Sequence, residues 1–324
     1  FYGYFKFEYL LLIISSILIN YYLSLFIIKS KKKIFLFLGI TFNILLLAYF
    51  KYTNFILHSI SIFAESDFRH ISIVLPLAIS FFTFQQITYL VDSYNNVVKK
   101  TSLLNYFLFV TFFPQLIAGP IVHHSEMMPQ FEKNNQDYKF IKNFSMGISI
   151  FIVGLFKKNC LADNLGIIAD RIFTLGNSSD NFNIIEQWIG CISYSFQIYF
   201  DFSAYSDMAI GLALIFGISL PINFNSPYKS CSIIDYWKRW HITLSRFINQ
   251  YLFYPLSMLF SRNYNQYIDN SLLRLIFLIG FPTLITFSIS GLWHGASWTF
   301  VIWGLMHGFY VFVNFIFKNY FPNF

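Results

Sequence analysis

The sequence predicts an all-α polytopic membrane protein, and three observations carry the prediction. Only 11% of the 324 residues are charged, whereas an ordinary soluble domain has about 25%. The chain is 56% hydrophobic and 22% aromatic, with a mean hydropathy of +0.55. Apolar runs of about 20 residues, the length that crosses a bilayer, recur from one end to the other. So few charges cannot cover a globular surface of this size, so lipid is the expected solvent.

Nine spans are expected, at 9–28, 34–50, 71–91, 103–122, 140–156, 184–202, 204–220, 272–292 and 299–317. Lys29, Lys31, Lys32 and Lys33 separate the first two and set that turn on the cytoplasmic side, because short cytoplasmic loops collect Lys and Arg. Counting onward brings Lys99, Lys100, Lys157, Lys158, Lys229, Lys238, Arg239, Arg246 and Lys318 to the same side. Arg171, Arg262 and Arg274 join them. Lys6, Lys51, Arg69, Lys133, Lys139 and Lys142 fall outside. The formal charge of +7 then reads as topology, not as a nucleic-acid footprint, and no nucleic-acid motif accompanies it. Pro76, Pro114, Gly119, Pro120 and Pro282 mark broken or re-entrant segments, which membranes tolerate only where protein covers the backbone.

One membrane domain over 1–324 is expected, without a soluble module. Residue 1 is Phe and hydrophobic sequence runs close to both ends, so a piece of a longer protein is expected. Cys160, Cys191 and Cys231 have neither pairing nor metal-ligand spacing and read as small packing residues.

Three constellations could carry chemistry. In 291–308, "GLWHGASWTFVIWGLMHG", Gly291-Leu292-Trp293-His294-Gly295 is echoed by Gly304-Leu305-Met306-His307-Gly308. A neutral imidazole is a good general base near pH 7, and ionisable residues at membrane depth are functional candidates. The alternative is that the rings cross-link helices. His307, mid-helix and without polar neighbours in sequence, fits that alternative better, and the spacing disfavours a metal pair. In 194–211, Asp201 and Asp207 lie among Tyr194, Tyr199, Ser203, Tyr205 and Ser206. They form either a polar wall that orients a histidine or an ordinary lumenal turn. In 112–131, two prolines and Gly119 break a helix, and adjacent His123 and His124 must point apart, reading as a solvated turn. The segment 232–256 mixes Trp237, Trp240 and Ile242 with Lys238, Arg239, His241 and Arg246. It suits a helix lying along or dipping into the cytoplasmic interface, with its tryptophans at headgroup depth. Nucleophile elbow, Walker loop and CxxC are all missing from the sequence.

Together "LPLAISFFTFQQITYLVDSY" (75–94), "FPQLIAGPIV" (113–122), "YFDFSAYSDMAIGLA" (199–213), "NFNSPYKSCSIIDYWKRWHITLSRF" (223–247) and "SGLWHGASWTFVIWGLMHG" (290–308) resemble the membrane-bound O-acyltransferase family, in its bacterial alginate and peptidoglycan O-acetylation branch. The resemblance covers about two-thirds of the chain. It implies a ring of about nine or more transmembrane or re-entrant helices around a thinned centre, with funnels from both faces. It places the family's catalytic histidine at His294 and its second polar position, Asn or His, at His241. The branch usually has Arg-Asp where this chain has Asn249-Gln250, commonly Arg at His123, and commonly Gly at Ala78.

The expected activity is acetyl transfer from cytoplasmic acetyl-CoA, with no tightly bound cofactor or metal, to an outer polysaccharide or peptidoglycan hydroxyl. An SGNH-type periplasmic acetyltransferase is the expected partner, and the bacterial inner membrane the expected location. His294 and His241 are read as the catalytic residues, His294 as base and His241 on the donor side. Trp293, Trp240, Lys238, Arg239, Asp201 and Asp207 are read as substrate-binding, Lys238 and Arg239 meeting CoA phosphates or anchoring the interface. D-alanyl transfer to teichoic acid, or transport of an acyl carrier or saccharide without chemistry, are the alternatives.

Overall fold

The computed structural model describes residues 2–65, 70–98, 102–117, 119–132, 140–175, 182–264 and 271–321. Arg69, Lys99, Lys100, Lys133 and Lys139, used in the topology count, lie outside them. The described residues are helical, without strands. Six helices among them are long and apolar enough to cross a membrane. They are α1 (Phe7–Ser30), α2 (Lys33–Phe63), α4 (Phe140–Thr174), α5 (Ile184–Ile215), α8 (Leu273–His294) and α9 (Trp298–Tyr320). Between them lie α3 (Ile79–Tyr94), α6 (Ile233–Arg239) and α7 (Ile242–Ile248), together with other short helices.

Four of the nine expected spans therefore read differently. The runs at 184–202 and 204–220 are one helix, because nothing between them breaks it. Its start is fixed by a capping box, Asn183 accepting from the Ile185 and Glu186 amides while Glu186 accepts from the Asn183 amide. In 71–91 the residues up to Pro76 are not helical, and α3 is 16 residues long, short of a span. In 103–122 the helix stops at Thr111, and a four-residue helix with Pro114 in its first turn follows.

The chain forms two compact units. The first comprises residues 1–110, 123–125 and 225–324. Here α1, α2 and α3 are joined by a buried amide network. The Asn43 side chain donates to Asn20 at 2.6 Å, Asn20 donates to Gln86, and Ser16 donates to Gln86 at 2.8 Å. Between helices in lipid, where apolar contact gives little driving force, such bonds and close packing hold the interface. Lys31 donates to the Ser93 carbonyl at 3.1 Å, tying the C-terminal end of α3 to the α1–α2 turn. Helices α8 and α9 meet at glycine: a Cβ on Gly291 would run into the Phe300 carbonyl, and one on Gly304 into the Phe287 carbonyl.

The second unit comprises residues 111–122 and 126–224. Helices α4 and α5 approach as closely, since a Cβ on Gly147 would lie 2.6 Å from the Gly211 carbonyl oxygen. Their facing surfaces carry two ion pairs, Lys157–Asp207 at 2.6 Å and Lys158–Asp201 at 2.7 Å. The three cysteines are exposed free thiols, not the packing residues expected.

Candidate functional site

His294 is the last residue of α8. The helix stops there because Gly295 turns extended (φ −156°, ψ 140°), and α9 begins at Trp298. The imidazole is held between two indoles. The Trp293 ring centroid is 4.7 Å away and the Trp303 ring 5.3 Å. The residue is nevertheless exposed, and neither ring nitrogen has a hydrogen-bond partner among the described residues. A base needs this combination of fixed walls, an open face and a free lone pair.

Trp293 is itself fixed. It is buried, stacked on Phe84 at 5.4 Å and edge-on to Phe81 at 5.9 Å. On its other side is His241, 6.3 Å between ring centroids. His241 lies in the break between α6 and α7. Ser232 caps the start of α6 through the Asp235 amide, and the helix ends at Trp240. His241 then takes a left-handed backbone, φ 43° and ψ 54°, with its side chain 1% exposed. Non-glycine residues seldom adopt that conformation, and such strain concentrates at functional sites. Burial, reinforced by charge on the nearby His294, pushes the His241 pKa down to about 3, so the ring is neutral at physiological pH.

His307 touches the same aromatic cluster from within α9, 4.6 Å from Trp303 and 5.3 Å from Trp237. Its Nδ1 is buried without a hydrogen-bond partner among the described residues. The echo thus has two physical sources. Its glycines Gly291 and Gly304 let α8 and α9 touch, and its histidines pack against Trp303. Trp237 packs against Phe287, Trp303 and His307. The 232–256 segment is not one helix: it breaks at Trp240–His241.

A cavity of about 450 Å³ adjoins this cluster. One wall is a face of α8 carrying Thr283, Thr286 and Ser290; Trp237, Lys238 and Phe312 also line it. Thr286 Oγ1 and Trp237 Nε1 are buried without hydrogen-bond partners among the described residues.

The other expected site residues divide. Lys238 is exposed on this cavity's lining. Arg239 is engaged with Asp235 at 2.9 Å, and Trp240 stacks on Tyr236 at 5.8 Å. Asp201 and Asp207 belong to the second unit, mid-helix in α5. They pair with lysines of α4 in place of the expected hydroxyl donors, and they occupy no turn. His123 and His124 are both buried, where a solvated turn was expected, though they do point apart. His123 stacks on Tyr251 at 5.7 Å, and His124 lies edge-on to Tyr89 at 5.1 Å.

Sequence reading missed two groups. Tyr251 donates to both oxygens of buried Asp92, at 2.9 Å each, and lies 3.3 Å from His123 Nδ1. Lys51 and Tyr52 hold the C-terminal end of α8: Lys51 donates to the Trp293 carbonyl, and Tyr52 donates to the Leu292 carbonyl at 3.0 Å. The available signal for the second pair was a charge within "AYFKYTNF"; ending the apolar run at Phe50 disguised it as a loop residue. Among the described residues, His, Cys, Asp and Glu form no group of three or more placed to hold a metal.

The family model for the membrane-bound O-acyltransferases matches residues 2–324. The chain belongs to the membrane-bound O-acyltransferase family. It is 45% identical to a peptidoglycan O-acetyltransferase of Helicobacter pylori, over 95% of this chain and 61% of that protein. It is 36% identical to the probable alginate O-acetylase AlgI of Pseudomonas aeruginosa, over 96% and 58% respectively. A teichoic acid D-alanyltransferase of Streptococcus thermophilus is 26% identical over 74% of this chain and 56% of that protein. The chain spans about three-fifths of the length of the first two relatives.

Proposed function

We propose that this chain is the membrane core of an O-acetyltransferase that passes acetyl groups from cytoplasmic acetyl-CoA to a hydroxyl outside a bacterial inner membrane. The carrying observation is His294: an accessible imidazole with both nitrogens free, at a helix break between two fixed indoles, one of which also meets the buried, neutral His241. In this reading the two compact units work as one catalytic domain.

His294 takes the proton of the acceptor hydroxyl as its oxygen attacks the thioester carbonyl. The imidazolium then returns the proton to the departing thiolate. His241, neutral and strained, holds the far side of Trp293 on the donor approach. The cavity beside Trp237 suits a pantetheine-like arm: its apolar body matches the walls, its amides match Thr286 Oγ1 and Trp237 Nε1, and Lys238 offers a cation to phosphate. Arg239 and Trp240 border that entrance. Asp201 and Asp207 are proposed as a polar substrate-binding surface, their charge balanced by Lys157 and Lys158. The immediate acceptor is an SGNH-type periplasmic transferase or the polymer itself, peptidoglycan or an exopolysaccharide such as alginate. A ring of helices with funnels from both faces is the architecture this chemistry needs.

The names of the relatives at 45% and 36% identity support acetyl over D-alanyl transfer, and the free imidazole supports chemistry over passive transport. The test is transfer of labelled acetyl from acetyl-CoA into polymer by membranes carrying His294→Gln at wild-type protein level. A general base contributes about 10²–10⁴-fold, so transfer should fall by that factor. Undiminished transfer would refute the proposal.

A further inference from the structure

Lys51 lies near the middle of α2, at a π-helical turn spanning Ala48–Tyr52. Wide turns of this kind are frequent at functional sites, because they swing one side chain out of the regular register. Here the turn directs Lys51 across to α8. Its ammonium donates to the carbonyl of Trp293, the peptide group that joins Trp293 to His294, and reaches Ser80 Oγ at 3.5 Å. It also lies 5.7 Å from the centre of the Trp293 ring.

A lysine at membrane depth is costly, and such residues almost always pair with an opposite charge or serve a mechanism. Lys51 pairs with no carboxylate among the described residues, whose ion pairs lie elsewhere. An ammonium has three N–H donors, and the two contacts above leave one uncommitted beside the candidate base. An unpaired cation with a free donor, anchored to the backbone of His294, is arranged to receive negative charge that appears only during reaction.

We propose that Lys51 stabilises the oxyanion of the acyl-transfer step. This rests on the reading of His294 as the base. The acceptor oxygen gives its proton to His294 and bonds to the thioester carbon. The carbonyl π pair moves onto oxygen, where the Lys51 ammonium meets it. Collapse restores the C=O, breaks the C–S bond, and the thiolate takes the proton from His294. Ester and thiol are the products, and Lys51 neither gains nor loses a proton. A fixed donor aimed at developing charge in a dry site is among the larger contributions to catalysis, roughly 10²–10³-fold per donor.

The experiment compares Lys51→Met, Lys51→Arg and His294→Gln in membranes containing the whole protein, with acetyl-CoA as donor. Ethyl-CoA, a thioether lacking the carbonyl, serves as competitive probe. Lys51→Met should lower kcat by roughly 10²-fold or more while KM for acetyl-CoA and inhibition by ethyl-CoA stay near wild type. Lys51→Arg should recover part of the lost turnover, because it restores charge and donors. A lysine that merely capped α8 would instead lose ethyl-CoA binding and turnover together, and that result overturns the proposal. Full turnover in Lys51→Met alongside an inactive His294→Gln overturns this proposal alone. Full turnover in His294→Gln overturns the general-base reading and this proposal with it.

Discussion

Acid should destabilise this protein through His241, and the size of the effect follows from its position. The imidazole is 1% exposed, outside the membrane-spanning helices, and its pKa is pushed down to about 3 by burial first and by charge on His294 second. An unfolded histidine titrates near 6.5. Above that pH both states are unprotonated and the group adds no pH dependence. Below it the unfolded chain binds a proton that the native site refuses, so stability falls as pH falls toward about 3, by about 1.4 kcal/mol per pH unit. Between pH 6.5 and 5 the loss is about 2 kcal/mol, whatever the lower limit. His124, buried and lowered to about 4, contributes in the same direction, so wild type alone is not diagnostic. The comparison is with His241→Asn, chosen because Asn tolerates the left-handed backbone and does not titrate there. Unfolding of the detergent-solubilised protein, followed by denaturant midpoint from pH 7.5 to 5, should show a shallower acid dependence in the variant, by about 2 kcal/mol across the range. Parallel curves would mean that His241 protonates freely in the native state, and the inference that it is neutral by burial would fail.

The two echoed histidines should differ in function. His307→Gln should retain transfer within about ten-fold, because its ring packs against Trp303 and Trp237, whereas His294→Gln loses about 10²–10⁴-fold; equal losses would make His307 a second reacting group. Gly304→Ala should cost about 1–3 kcal/mol by overpacking against the Phe287 carbonyl. Gly308→Ala, whose Cβ would meet Phe287 Cβ at 3.1 Å and Leu284 Cα at 3.3 Å, should cost less; thermal unfolding in detergent checks the order. Asn43→Ala removes the 2.6 Å bond to Asn20 and should destabilise by about 1–2 kcal/mol. Combining it with Asn20→Ala should cost less than the sum, since both act on one network, and additive losses would contradict that.

Composition and periodicity by themselves determined the membrane class and the existence of most long helices, because burial in lipid demands continuous apolar runs that are written locally. They also singled out the echoed pair His294 and His307, since an imidazole in such a run is rare enough to stand out; the family resemblance separated the two and added His241. What they could not decide was where one apolar run becomes two helices or where two become one. Residues 184–215 form one helix although Asp201 and Asp207 interrupt the apolar run; Lys158 of α4 answers Asp201 and Lys157 answers Asp207. That pairing depends on which helix packs alongside. Lys51 was legible as a charge but not as a site residue. Only the packing of α2 against the end of α8 brings its ammonium to the Trp293 carbonyl, 242 residues away in sequence. The same holds for the glycine echo. Sequence shows the repetition, but only the tertiary contact shows that Gly291 and Gly304 are small so that two backbones can touch, and that the histidines they accompany meet one indole in two different environments.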